Sequence, residues 1–151
     1  MELVAAAMDE LFLKLNSYLG QSDATLHGCI EVFIKAVGRE DPIIKLGPML
    51  TGVLERNTEP AIIIGFKRRL VANLLQCGQN LSRRFPGLDA HTAARTLMRS
   101  YAIVLGVAQI LPSSHDVNSV LQQEEFAPIR LSLAEDATTI IALLWQKALY
   151  T

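Results

Sequence analysis

Apolar residues recur at intervals of three and four positions along nearly the whole chain, which is the spacing of one face of an α-helix. Near the N-terminus, Val4, Met8, Leu11 and Leu15 follow this spacing. The strict alternation of apolar and polar residues that is typical of a half-buried strand is almost absent. Such a chain buries its apolar surface by packing helix on helix. The sequence therefore predicts an all-α protein.

Capping and helix-breaking residues divide the chain into about six to seven predicted helices. Asp41-Pro42 and Asp89 are expected starts, because an aspartate caps a helix and proline suits its first turn. Thr58 is a further expected cap, before Pro60. The first four predicted helices are residues 2–19, a segment from a cap at Ser22 or Asp23 to a stop at Gly38, residues 43–56 with an interruption at Gly47-Pro48, and residues 60–84. The remaining predicted helices are residues 89–111, residues 118–126, and a last helix from Pro128 or Ser132 to Tyr150.

The chain has 151 residues, of which 50% are hydrophobic and 19% are charged. This length is typical of one domain, so residues 1–151 are expected to share a single core. The composition is too apolar for a disordered chain. The excess of apolar side chains must be buried in a core, in a ligand cavity or in a subunit interface.

The charge distribution argues against a general attraction to nucleic acid or to an acidic membrane, because the net charge is −1. Residues 59–100 are locally basic, with seven basic and two acidic residues, but no aromatic residues alternate with the basic ones in the pattern of a nucleic-acid surface. We interpret this segment as a solvated helix face.

The longest nearly apolar stretch, residues 101–111, has 11 residues, whereas a membrane-spanning helix needs about 20. The N-terminus lacks the basic region of a signal peptide. Cys29 and Cys77 have no CxxC partner and are interpreted as buried free thiols in a reducing compartment. Together these features predict a cytoplasmic protein without a membrane partner.

Catalytic and metal-binding patterns are weak. The three histidines, His27, His91 and His115, do not have the spacing of metal ligands, and no nucleophile or phosphate-loop motif occurs. We therefore predict no enzyme activity, no catalytic residue, no metal and no cofactor.

Two segments are apolar on every side of the helix that would contain them, namely residues 102–108 and 140–145. Such helices must contact protein on two sides, and in a chain this short one side is expected to contact a second copy. Two helices from each copy would form a two-fold four-helix bundle. The alternative is a central helix in a monomer. The predicted dimer contacts are Ala102, Gly106, Gln109, Ile141, Leu144 and Trp145.

A small-molecule pocket is a second hypothesis, because aromatic residues, methionines and a few polar groups fall on inward-facing helical positions. The alternative is ordinary core packing, with His27 exposed and Asn73 hydrogen-bonded locally. An apolar or aromatic effector would suit this composition. The candidate lining residues are His27, Phe33, Leu50, Phe66, Leu70, Asn73, Met98 and Tyr101.

Dispersed segments give the chain a resemblance to a known family. They are Glu2-Leu3-Val4 with the following Asp9-Glu10-Leu11-Phe12, Arg84-Phe85-Pro86 with the following residues 89–107, and Glu125-Phe126 with the apolar last helix. Along nearly all 151 residues, the sequence resembles the C-terminal domain of the tetracycline-repressor (TetR) family of bacterial transcription regulators.

The resemblance implies a ligand-sensing, homodimerising regulatory domain in which the last two long helices dimerise and the others enclose an effector pocket. It also implies that the first helix, Glu2 to Leu19, transmits the signal by tilting and changing the separation of two DNA-binding modules. Members of the family begin with a helix-turn-helix, and no stretch here has that pattern. DNA is therefore expected as a partner only of an intact protein that carries that module. A helical protein-interaction module without a small-molecule ligand remains the alternative.

Overall fold

The computed structural model of the chain describes residues 1–37, 41–50, 53, 56–112 and 114–150. These residues form seven α-helices and one 3₁₀ helix and contain no strand, which confirms the predicted all-α class. In chain order the elements are α1 (Glu2–Leu19), α2 (Leu26–Ala36), α3 (Pro42–Met49), α4 (Pro60–Arg84), α5 (Ala90–Ile110), α6 (His115–Leu121), the 3₁₀ helix (Glu124–Ile129) and α7 (Leu133–Leu149).

Several helices start where local capping signals predict. The Asp41 carboxylate accepts a hydrogen bond of 2.7 Å from the N–H of Ile43, and Pro42 is the first residue of α3. The Asp89 carboxylate accepts two bonds of 3.0 Å from backbone N–H groups in the first turn of α5. Each cap satisfies donors that have no partner within the helix.

The start of α2 differs from the prediction. Thr25, rather than Ser22 or Asp23, caps this helix, and its hydroxyl accepts a 3.1 Å hydrogen bond from the N–H of Gly28. The N–H of Thr25 donates in turn to the hydroxyl of Tyr18, at 3.2 Å. A contact with the preceding helix therefore fixes the position of the cap.

Two further predicted boundaries change. Helix α3 includes Gly47 and Pro48 and ends at Met49, so the predicted interruption of this helix falls one residue after Pro48. The residue before α4 is Glu59, which makes no side-chain cap, so the predicted cap at Thr58 is wrong. The predicted stop at Gly38 lies outside the described residues.

The core forms where α1, α2, α4, α5 and α7 converge. Helix α1 packs on α2, α3 and α4, while α5 packs on α4 and α7. Helices α4 and α5 approach closely at Gly78, where a Cβ atom would lie 2.4 Å from the carbonyl oxygen of Ala90. The most deeply buried large side chains include Val4, Leu15, Ile43, Leu81, Val104 and Ile141.

The segment between α5 and α7 lies at the periphery of the domain. The short helix predicted at residues 118–126 is instead the pair formed by α6 and the 3₁₀ helix, which contact each other. The Arg130 guanidinium holds the end of α6 by donating to three backbone carbonyls at 2.8 to 3.0 Å. Helix α7 then begins at Leu133, with Ser132 as its cap, which is one of the two predicted starts.

Candidate functional site

The centre of the helical core contains a small apolar cavity of about 10 Å³. This volume is close to the minimum that one water molecule requires. Five helices contribute to its wall, so any molecule bound there would contact most of the core. The cavity is lined by Leu15, Cys29, Ile30, Phe33, Leu81, Leu97, Ile141 and Trp145.

The eight residues predicted to line a pocket do not converge on one site. Phe33 lines the central cavity. Phe66, Leu70 and Asn73 line a second cavity, also of about 10 Å³, between α1 and α4. Leu50 is buried elsewhere in the core.

Tyr101 is half-buried, and its hydroxyl oxygen would lie 3.0 Å from a Cβ atom placed on Gly47 of α3. Burial raises the pKa of the Tyr101 phenol above its ordinary value, because a charged phenolate would lose hydration there. Tyr101 therefore packs between α3 and α5.

Two of the predicted pocket residues face outward, and the prediction is corrected for both. The side chain of His27 is 70% exposed and lies 3.4 Å from the carboxylate of Glu31, one turn along α2. Met98 is 41% exposed, whereas its neighbour Leu97 points into the core. One position along a helix turns the side chain by about 100°, which separates these two residues.

Asn73 connects two helices and is not hydrogen-bonded locally. Its amide donates a 2.6 Å hydrogen bond to the carboxylate of Asp9 on α1, and the Arg69 guanidinium pairs with the same carboxylate. Further along the same two helices, the Asn80 amide donates to the side-chain oxygen of Asn16 at 2.9 Å. These pairs fix α1 against α4 with the two helices running parallel.

Both cysteines are buried free thiols, as the sequence indicates. Burial raises the pKa of Cys29 and of Cys77 to about 12. The neighbouring Arg84 charge opposes this effect at Cys29 without cancelling it. The thiols are therefore protonated at neutral pH, so they lack the thiolate character of a nucleophile or a metal ligand.

Helices α5 and α7, which pack against each other, expose apolar residues on their outer sides. Gly106 adds a position where a Cβ atom would meet nothing within 4 Å. We call this surface the α5–α7 face, and it is formed by Met98, Ala102, Gly106, Ile140 and Leu143.

The structure places only part of the predicted dimer set on this surface. Gln109, like Ala102 and Gly106, is exposed, and Leu144 is half-buried. The prediction is corrected for Ile141 and Trp145, which are 1% and 4% exposed and belong to the core of their own chain.

Ile140 and Leu143 are exposed but were not among the residues selected from the sequence, although the sequence contains a signal for the outward position of Leu143. Leu143 lies one helical turn from both Thr139 and Lys147, and these polar residues mark the outward side of α7.

Two chemical possibilities find no support in the described part of the chain. No group of three or more histidine, cysteine, aspartate or glutamate side chains there is placed to hold a metal ion. Likewise, none of the helices described there has both the length and the apolar character needed to cross a bilayer.

The described residues form an all-helical fold that contains a small apolar cavity and exposes the α5–α7 face. Residues 1–147 match the family described as the tetracyclin repressor-like C-terminal domain. The chain therefore belongs to this family, whose members are domains of transcription regulators. No curated protein and no solved structure matches the chain.

Proposed function

We propose that this domain pairs with a second copy of itself and senses a small apolar or aromatic effector, as the regulatory part of a TetR-type transcription regulator. The α5–α7 face is the observation that carries the proposal. Leu143, Ile140 and Met98 are 62%, 44% and 41% exposed on two adjacent helices. Exposed apolar side chains on neighbouring helices favour a protein interaction site, because their contact with water is unfavourable.

The helices of this face suit a symmetric interface. Gly106 and Ala102 are small and lie one turn apart, which allows a second helix to approach closely. In a two-fold interface the same surface is used by both copies. Two copies of α5 and α7 would then form a four-helix bundle.

Replacing Leu143 with glutamate is expected to weaken dimerisation at least about 10-fold, because dimerisation would remove an unpaired carboxylate from water. The fold of the single chain should persist, since Leu143 is 62% exposed. Sedimentation velocity across a concentration series measures the dimer dissociation constant of each protein.

Val71→Glu is the matched control, because Val71 is an apolar residue on α4 that is 52% exposed and lies outside the α5–α7 face. It should leave the dissociation constant unchanged. A monomeric unmodified chain at micromolar concentration would refute the dimer proposal, and equal weakening by both substitutions would show that the α5–α7 face is not the interface.

The effector half of the proposal concerns the central cavity. Its wall is almost wholly apolar and includes the aromatic rings of Phe33 and Trp145, which suits an apolar or aromatic compound. Since its volume is about 10 Å³, such a compound must move the surrounding helices apart. Helix α1 contributes Leu15 to the wall, so this movement would reach the helix that the family resemblance assigns to signal transmission.

The same small volume favours the alternative function, a helical interaction module with a dry core. A thermal-shift screen with apolar and aromatic compounds separates the two. A compound that binds the folded domain should stabilise it by about 2.7 kcal/mol at 100 times its dissociation constant. Cys29→Leu, which adds bulk to the cavity wall, should abolish the shift, whereas Val71→Leu should preserve it. If no compound in a chemically broad panel raises the melting temperature, the interaction module is the better assignment.

A further inference from the structure

Helices α1 and α4 end side by side and form an open cleft of about 290 Å³ on the surface, separate from the central cavity and from the α5–α7 face. We call it the α1–α4 cleft. None of the described residues that line it is acidic. Its lining is Asn16, Leu19, Gly20, Asn80, Arg83 and Arg84.

The hydrogen bonds in the α1–α4 cleft occupy its side-chain acceptors, and several of its side-chain donors have no partner. The side-chain oxygen of Asn16 accepts from Asn80 at 2.9 Å, and that of Asn80 accepts from the Arg83 guanidinium at 3.4 Å. The Arg84 guanidinium donates to the carbonyl of Ser22 at 2.7 Å. The amide N–H₂ of Asn16 and most N–H groups of the two arginines remain available. A ligand that accepts several hydrogen bonds would complement this arrangement.

Arg84, which lines the α1–α4 cleft, has one N–H group without a partner. Its Nε atom is buried and has no hydrogen-bond partner. Buried polar atoms are normally paired, and an unpaired one costs about 1–3 kcal/mol. An anion that drew the guanidinium toward the cleft would allow this N–H group to be paired.

The charge of the α1–α4 cleft also favours an anion. Two helix C-termini meet here, and each contributes roughly −0.5 charge. The guanidinium groups of Arg83 and Arg84 contribute two positive charges. The two helix ends together neutralise about half of the positive charge of the two arginines, so a net charge of roughly +1 remains in the cleft.

We propose that the α1–α4 cleft binds a small oxyanion, a phosphate or carboxylate group, through Arg83, Arg84 and the amide of Asn16. Guanidinium groups bind both kinds of oxyanion by paired, charge-assisted hydrogen bonds. The bound group would connect the C-terminal end of α1 to α4, so it would stiffen α1 from a site outside the central cavity. This role is additional to effector sensing and does not depend on dimerisation, because one chain supplies every contact.

Isothermal titration calorimetry of the full 151-residue chain with inorganic phosphate and, separately, with succinate tests the proposal. Sodium chloride keeps the ionic strength equal in every titration, because exposed charges are screened by salt. We expect one binding site per chain. Binding of phosphate alone would identify a phosphoryl ligand, and binding of succinate alone would identify a carboxylate ligand.

Arg83→Gln should weaken binding about 10-fold or more, because it removes a charged donor from an exposed side chain. Asn16→Asp should abolish binding, since it replaces the free donor with a negative charge and still accepts the hydrogen bond from Asn80. The matched control is Arg99→Gln, which removes one positive charge from the exposed side of α5 and should change the dissociation constant less than about 2-fold.

The proposal is overturned if the unmodified chain binds neither probe at millimolar concentration. It is also overturned if Arg99→Gln weakens binding as much as Arg83→Gln, because that result would indicate diffuse attraction to surface charge. Circular dichroism melting curves of all three variants show that each one is folded at the temperature of the titration.

Discussion

Replacing Trp145 with alanine is expected to lower the free energy of unfolding by about 3–5 kcal/mol. Trp145 is 4% exposed and forms part of the wall of the central cavity, so truncation would enlarge that cavity. Its indole N–H also donates a 3.1 Å hydrogen bond to the buried hydroxyl of Ser100, which donates to the carbonyl of Thr96 at 2.8 Å. Urea unfolding followed by far-ultraviolet circular dichroism measures the effect, since Trp145 is the only tryptophan and fluorescence would be lost.

Two further variants separate packing from the hydrogen bond. Trp145→Phe keeps most of the apolar volume but removes the indole N–H, so we expect a smaller loss of about 1–3 kcal/mol. Tyr150→Ala, at the end of the same helix, removes a side chain that is 90% exposed and should change stability by less than about 0.5 kcal/mol. If Trp145→Ala cost less than about 1 kcal/mol, or if its cost vanished at protein concentrations too low for dimers, Trp145 would belong to an interface and not to the core.

Trp145 and Leu143 show which features of α7 could be predicted from the sequence. The apolar run 140–145 correctly indicates that α7 has apolar residues on more than one side. Because every residue in such a run is apolar, the run alone does not show which positions face the core and which face outward. The polar residues that flank the run do show which side of the helix faces outward. They place Leu143 outward and Trp145 inward, as the structure does.

The starts of α3 and α5 were predictable because a local interaction sets each of them, whereas the starts of α2 and α4 were not. Asp41 and Asp89 cap their helices through N–H groups two or three residues away, so the sequence alone locates them. The start of α2 depends on the Tyr18 hydroxyl and the Arg84 guanidinium, which hold the preceding turn from other helices.

The side-chain contacts that join α1 to α4 were also not predictable, because they involve residues that are distant in the sequence. The pairs Asp9–Asn73 and Asn16–Asn80 join residues that are 64 positions apart in the sequence. No periodic pattern encodes such pairs, so the sequence did not predict that Asn73, which lines the second cavity, also connects α1 to α4. The sequence likewise did not predict the hydrogen bond from the Arg84 guanidinium to the carbonyl of Ser22.

Replacing Gly78 with valine is expected to lower the free energy of unfolding by about 3 kcal/mol or more, because α4 and α5 approach each other closely at Gly78. A Cβ atom there would lie 2.4 Å from the carbonyl oxygen of Ala90 and 3.2 Å from the backbone nitrogen of Ala94. Both are backbone atoms of α5, so the clash can be relieved only by moving the whole helix. Gly78→Ala should cost less, since a single methyl group also raises helix propensity by about 1 kcal/mol. Urea unfolding at one fixed protein concentration measures both effects.

Gly65→Val in the same helix is the control that separates the effect of the clash at Gly78 from the backbone effect of replacing a glycine. Gly65 is exposed, and a Cβ atom there would meet nothing within 4 Å, so the substitution should leave stability unchanged or slightly increase it. The two variants share one chemical change in one helix and differ only in what surrounds the added side chain. Equal effects at Gly65 and Gly78 would mean that α4 and α5 are farther apart than the structure places them.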